Sequence, residues 1–283
     1  MLTLVQVQQS RQRRRHSPSL KQLYQEYILE RVEAYKNSIT RAEILRLGDE
    51  AAGELQATAE GQFVLTEVLM LESVDRLIIK RLSLPSYPKW RRHYLTLRAA
   101  QREPTHWGID PTDPVTTLLP RLEHGDCALL IGSAAESLTF LLAAHDVSVT
   151  FLAGNLACVE RVENRAVGES LAGEFAAYVV QLGCWLPETG GLNVVALDSR
   201  AFEGIDPPIR QAFITELQTR TKPNGVHVLL GSHTGLAPQA LLGHYDGWQA
   251  HPTKAGGHRS PTVILNERPS QSDTLGSDIS VSL

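Results

Sequence analysis

Residues 126–155, DCALLIGSAAESLTFLLAAHDVSVTFLAGN, decide the fold. The apolar run 127–131 reads as a buried strand and Gly132 as the turn that ends it. Residues 134–144 read as a helix and, after a short turn, 147–152 as a second strand. Strand, glycine turn, helix and strand open a doubly wound sheet, in which a ligand lies across the first turn at the carboxyl ends of the strands. Such a turn usually carries several glycines, and an acid usually ends the second strand. Here one glycine is followed by Ser133, Ala134, Ala135 and Glu136, and the second strand runs out into Ala153, Gly154 and Asn155.

The alternation continues downstream. Residues 156–182 read as helical, NVVALD at 193–198 as a third strand, and PPIRQAFITELQTRT as a helix whose first turn suits Pro207 and Pro208, because that turn needs no amide donor. PNGVHVLLGS gives a turn and a strand at 226–230, and segments near Trp248 and at 262–266 suit a closing antiparallel hairpin. Strands alternating with helices predict an α/β fold, a doubly wound, mostly parallel Rossmann-like sheet over 121–268. The last residues, 269–283, are rich in Ser and Asp and read as a disordered tail.

Upstream the pattern changes. Residues 19–105 show four helical stretches and no strand pattern, the composition of an all-α cap or bundle. The predicted inward stripes are Leu23, Tyr27, Ile28, Val32 and Tyr35, then Ile44, Leu45, Leu47, Ala51 and Leu55. A third stripe, Val64, Leu65, Val68, Leu71, Val74, Leu77 and Ile78, is wide enough for a monomer core or a homodimer contact. The proline-rich stretch 106–120 reads as a linker, with His106 and Trp107 a hinge or a substrate contact. Residues 1–18, with the RQRRRH cluster, read as a flexible basic arm.

Of the 283 residues 42% are hydrophobic and 20% charged, which fits a globular chain with a substantial core. No apolar run is long enough for a membrane helix, and the N-terminus lacks the order of a secretory signal, its arginines following the apolar stretch. Cys127, Cys158 and Cys184 are too few and too scattered for a disulfide framework or a zinc site, so a cytoplasmic setting is expected. Residues 1–105 hold 17 Lys+Arg against 12 Asp+Glu and the remainder 10 against 19, so the α/β half is acidic, which argues against nucleic acid as its partner.

Three stretches resemble class I S-adenosylmethionine-dependent methyltransferases, closest to the small-molecule and tellurite-resistance type. They are 125–155; LNVVALDSRAFEGIDPPIRQAFITELQTRTKPNGVHVLL; and ALLGHYDGWQAHPTKAGGHRSPTVILNERP. The resemblance covers 120–269 and implies a methyl transfer from S-adenosylmethionine to a small-molecule substrate. It assigns cofactor-facing positions to Gly132, Ser133 and Ala134. Glu136 would face the ligand's amino group, or else serve as a first-turn acid favoured by the helix dipole. The ribose-binding acid of such enzymes falls on Ala153, which cannot accept a hydrogen bond through its side chain. Asn155 either substitutes in part or caps the next helix. Trp185 stacks on an adenine or belongs to the core.

Asp198, at the end of a strand, would orient a nucleophile or act as a base, or else cap the following turn. His233 is the better-placed catalytic histidine, whereas His227, inside a strand, reads as a satisfied core residue. A second reading follows from the missing acid and glycines: a degenerate methyltransferase fold serving as a binding or scaffolding module. Trp185 or Phe151 filling the adenine space would favour it.

Overall fold

The computed structural model describes residues 19–58, 67–171, 174–231, 235–252 and 262–267. The arm at 1–18, the tail at 269–283 and His233 fall outside them. The chain divides into two compact units, Met1–Leu97 and Arg98–Leu283.

The first unit contains α1 (Leu20–Ser38), α2 (Arg41–Thr58), α3 (Glu67–Arg81) and most of α4 (Tyr87–Gln101). A capping box starts α1: the Ser19 hydroxyl accepts from the Gln22 amide and the Gln22 side chain accepts from the Ser19 amide, both at 3.2 Å. The core is small, built on Val32, Leu47, Ala51, Leu77 and Ile78. The inward stripes are therefore narrower than their sequence suggests. Leu45, Val68 and Leu71 are more than half exposed, because α3 meets its neighbours mainly through its C-terminal half, and Ile44 and Leu45, 100° apart on the helix, cannot share one face fully. Val64 and Leu65 lie outside the described residues. An aromatic cluster adds to the packing: Tyr24 lies 5.4 Å from both Tyr87 and Trp90, Tyr94 stacks on Trp90 at 4.9 Å, and the Tyr24 hydroxyl donates to the Pro85 carbonyl at 3.0 Å.

The second unit is the expected sheet. Its elements are β1 (Cys127–Ile131), α5 (Glu136–Ala144), β2 (Ser148–Ala153), α6 (Leu156–Gly168), β3 (Phe175–Val179), β4 (Leu192–Asp198), α7 (Pro207–Arg220), β5 (Thr221–Leu230), α8 (Gln239–Leu242), β6 (Trp248–Pro252) and β7 (Thr262–Glu267). Seven strands lie in the order β3-β2-β1-β4-β5-β7-β6. The first five are parallel; β7 runs antiparallel between β5 and β6, so the closing hairpin is present. Side chains alternate across β1: Ala128 and Leu130 join one core layer with Phe140 and Phe151, and Leu129 and Ile131 join the other with Phe202 and Phe213. This is the doubly wound, mostly parallel fold class that the resemblance implies.

Two local readings change. The stretch 156–182 is not one helix: α6 stops at Gly168 and β3 follows, pairing in parallel with β2 from Val149–Phe175 to Ala153–Val179. FAAYV is a short edge strand, half-exposed on most positions, so it lacks the continuous apolar signature of its buried neighbours. The proline-rich stretch forms two 3-10 helices, Pro104–Trp107 and Pro114–Arg121, which pack into the sheet unit. Trp107 is buried, stacks on Phe140 at 5.2 Å and donates its indole N–H to the Gln101 carbonyl at 2.6 Å, with the Arg165 guanidinium over both rings. His106 stands 3.4 Å from the Glu169 carboxylate. The end of α4 is tied in as well. Arg98 and Arg102 bond the two oxygens of Asp146 at 2.7 and 2.6 Å, and Arg98 also donates to the Ala144 carbonyl, one of those left open at the end of α5.

Candidate functional site

The strand order reverses between β1 and β4, and in open α/β sheets the ligand crevice lies outside the carboxyl ends at that point. A cleft of about 930 Å³ sits there, reached by Ile131, Ala153, Val179 and Asp198, the last residues of β1, β2, β3 and β4. Ser133, Asn155, Cys158, Gln181, Arg200 and Asp206 supply most of its polar lining; Leu182, Ile205 and Ile209 supply apolar wall.

The Gly132 turn is built around Asp198. Gly132 has φ +88°, and a Cβ placed on it would stand 2.5 Å from the Cβ of Asp198. Only glycine allows this approach between β1 and β4. The Asp198 carboxylate, 2% exposed as a residue, receives the amides of Ala134 and Arg200 at 3.0 Å each. The Ser133 hydroxyl and the Arg200 guanidinium reach it at 3.4 Å, and the guanidinium also donates to the Ser133 hydroxyl at 3.2 Å. Asp198 thus ties the turn to the start of the next one, where it is the N-cap of a 3-10 helix.

The other sequence-predicted positions separate into two groups. Gly132, Ser133, Ala153, Asn155 and Asp198 all reach the cleft. The Asn155 side chain also caps α6, accepting from the Cys158 amide at 2.8 Å. Ala134, Glu136 and Trp185 are not in its lining. Glu136 is turned to α6, where Arg161 bonds its carboxylate at 2.8 Å. Trp185 is 53% exposed and packs edge-on against Tyr178 at 5.9 Å, whereas Phe151 is fully buried in the core. Neither aromatic fills the cleft, which stays open.

His227 takes the core role its place in β5 suggests. The Thr221 hydroxyl donates to the Leu217 carbonyl at 2.7 Å, so its oxygen is left to accept from His227 Nε2 at 2.8 Å. The other nitrogen, Nδ1, then accepts from the Tyr245 hydroxyl at 2.9 Å. Both ring nitrogens are satisfied by a neutral imidazole, and burial pushes its pKa down to about 3. Burial raises the Cys158 thiol, which keeps it protonated in the cleft wall.

Sequence reasoning missed Arg200 and the wall formed by Val179, Ile205 and Ile209. Arg200 had one available signal, its position two residues beyond the strand-end acid. The wall had none: Val179 lay in the unread β3, and nothing in the sequence turns Ile205, or Ile209 in the first turn of α7, toward the cleft. Among the described residues no group of three or more His, Cys, Asp or Glu is placed to hold a metal, and no helix is long and apolar enough to cross a membrane.

No protein-family model matches the sequence, and no curated protein matches it. Solved structures do. A TehB-like SAM-dependent methyltransferase from Corynebacterium glutamicum is similar at 11% identity and TM-score 0.44, over 63% of this chain and 96% of that one. An rRNA methylase from Streptococcus thermophilus is similar at 10% identity and TM-score 0.43, over 56% and 96%. The N-methyltransferase NodS from Bradyrhizobium japonicum is similar at 12% and 0.41, over 56% and 100%. The fold itself rests on the strand order and register above.

The cleft residues do not fit S-adenosylmethionine as the resemblance would place it. Three of the four turn amides are engaged, that of Gly132 by the Leu152 carbonyl, that of Ala134 by Asp198 and that of Ala135 by the Gly132 carbonyl, which leaves that of Ser133. At the end of β2 the Ala153 side chain is a methyl group, and its carbonyl accepts from the Val180 amide at 2.9 Å. Hydroxyls of a ribose find no carboxylate there.

Proposed function

We propose that this chain is a methyltransferase-fold protein that binds a small ligand in its cleft without S-adenosylmethionine-dependent transfer. The observation that carries this reading is the pairing of Ala153 with a turn three of whose four amides serve Asp198 and the backbone. A ribose acid makes two charge-assisted bonds, at roughly 1.5–3 kcal/mol each. Their loss weakens a cofactor by about two to four orders of magnitude. Asp198 is equally committed: donors reach both its oxygens, which supports a structural role over that of a base.

The alternative, methyl transfer to a small molecule, is favoured by the open cleft at the strand ends. It asks only that an already nucleophilic acceptor be positioned beside the sulfonium. Calorimetric titration of the folded chain with S-adenosylmethionine and S-adenosylhomocysteine separates the two. The proposal expects no saturable heat up to about 1 mM ligand; a tight, one-to-one isotherm would restore the methyltransferase reading.

A further inference from the structure

At the end of β2 the cleft offers a donor where the resemblance calls for an acceptor. Where the resemblance calls for a carboxylate at the end of β2, the neighbouring polar side chain is Asn155, whose oxygen is taken by the Cys158 amide, leaving its NH2 as the remaining polar end. Across the cleft stands Arg200. Its side chain is 38% exposed, and its bonds to Asp198 and Ser133 span 3.2–3.4 Å, at the long end of the hydrogen-bond range. Those bonds use Nε and Nη2; a guanidinium has five N–H donors in a planar fork, so Nη1 remains for a ligand oxygen. The acids of the lining are Asp198, held as described, and Asp206, which precedes Pro207 at the start of α7. Donors of this kind recognise oxyanions, not sugar hydroxyls.

The opposite wall is apolar. Val179 and Ile209 are each nearly half exposed beside the cleft, and Ile205 and Leu182 continue the surface. The loop at Gly183 (φ +88°) lies so close over Ile209 that a Cβ there would stand 2.4 Å from its methyl group, which holds the wall in place.

We infer that the cleft takes an anionic small molecule with an apolar body, its oxyanion on the open Nη1 edge of Arg200 and its body against Val179, Ile205 and Ile209. This rests on the cleft being a ligand site independent of S-adenosylmethionine. The head group is a carboxylate or a phosphate, which present the same oxygens to the guanidinium.

The test uses 8-anilinonaphthalene-1-sulfonate, and N-phenyl-1-naphthylamine as its uncharged counterpart, titrated by fluorescence into the full chain. The inference expects one saturable anilinonaphthalene sulfonate site per chain. Arg200→Gln raises its Kd about tenfold or more while leaving the neutral probe within about twofold. Ser133→Ala removes the hydroxyl that accepts from Arg200 Nη2 and so loosens the guanidinium while sparing the Asp198–Arg200 pair; this milder change raises it about threefold. Displacement of the bound probe by 1-naphthoate or by 1-naphthyl phosphate supports the inference and names the head group; displacement by neither overturns it. So does wild-type affinity for the sulfonate in both variants, with folding checked by circular dichroism. These results are independent of the calorimetric one: saturable S-adenosylmethionine heat sinks the proposed function, whereas indifference to Arg200 sinks only the anion site.

Discussion

Acidification should weaken the fold through His227, by an amount its surroundings set. The imidazole is buried among Tyr245, Trp248 and Thr221, and its neutral form already uses both nitrogens. In the unfolded chain it titrates near 6.5, in the folded one at about 3. The unfolded state therefore binds the proton first. The stability contribution is fully present above the unfolded pKa, falls by about 1.4 kcal/mol per pH unit below it, and stops falling near the folded pKa. From about pH 7.5 to about pH 5 the loss is about 2 kcal/mol. Burial lowers His145 and His244 too, so the wild-type slope alone is not diagnostic. His227→Gln keeps a donor and an acceptor but cannot titrate. Urea unfolding of both proteins across that range should show the wild-type advantage shrinking by about 2 kcal/mol. An advantage constant to within about 0.5 kcal/mol would refute a buried neutral imidazole at this position.

Gly132→Ala places a methyl group against Asp198 at a φ of +88°, and should cost about 3 kcal/mol or more, read as a fall in Tm; a loss under about 1 kcal/mol would show that the turn yields easily. Two of the tryptophans in the second unit should behave oppositely. Trp107→Ala removes a buried, stacked ring and should cost about 3–5 kcal/mol in urea unfolding. Trp185→Ala, on an exposed edge, should stay within about 0.5 kcal/mol of wild type, and a large loss there would place Trp185 in the core after all.

The sheet was legible because its central strands are nearly all apolar, as burial on both faces demands, and because Gly132 and the Pro207–Pro208 pair punctuate them. β3 was not, since an edge strand of mixed exposure carries neither a clear period of two nor a continuous apolar run. The helical stripes were legible in period but not in depth. Periodicity says which residues share a face; how many of them meet a neighbour depends on where the helices touch, and Leu45 and Leu71 fall beyond that contact. Near the cleft, sequence put Ala153 and Asp198 at or beside strand ends, with Gly132 just after β1 and Asn155 just before α6. It could not show that Gly132 and Asp198 abut, because that contact spans 66 positions and exists only once β1 pairs with β4. Nor could it show Glu136 turning to Arg161, for the partner is a full strand and helix turn away.

The contact between Gly132 and Asp198 has a further consequence for how this chain can change. Neither position can be varied freely while the other is kept, so a mutational library that samples them one at a time meets mostly damaged proteins. Ala153 is constrained differently: it borders the cleft and its backbone bond to Val180 does not depend on the side chain, but it is buried in the core layer with Phe151. A glycine in a cofactor-like turn is, in this protein, architecture. The unassuming alanine is packed as well, so directed evolution toward a different ligand should vary it together with its core neighbours.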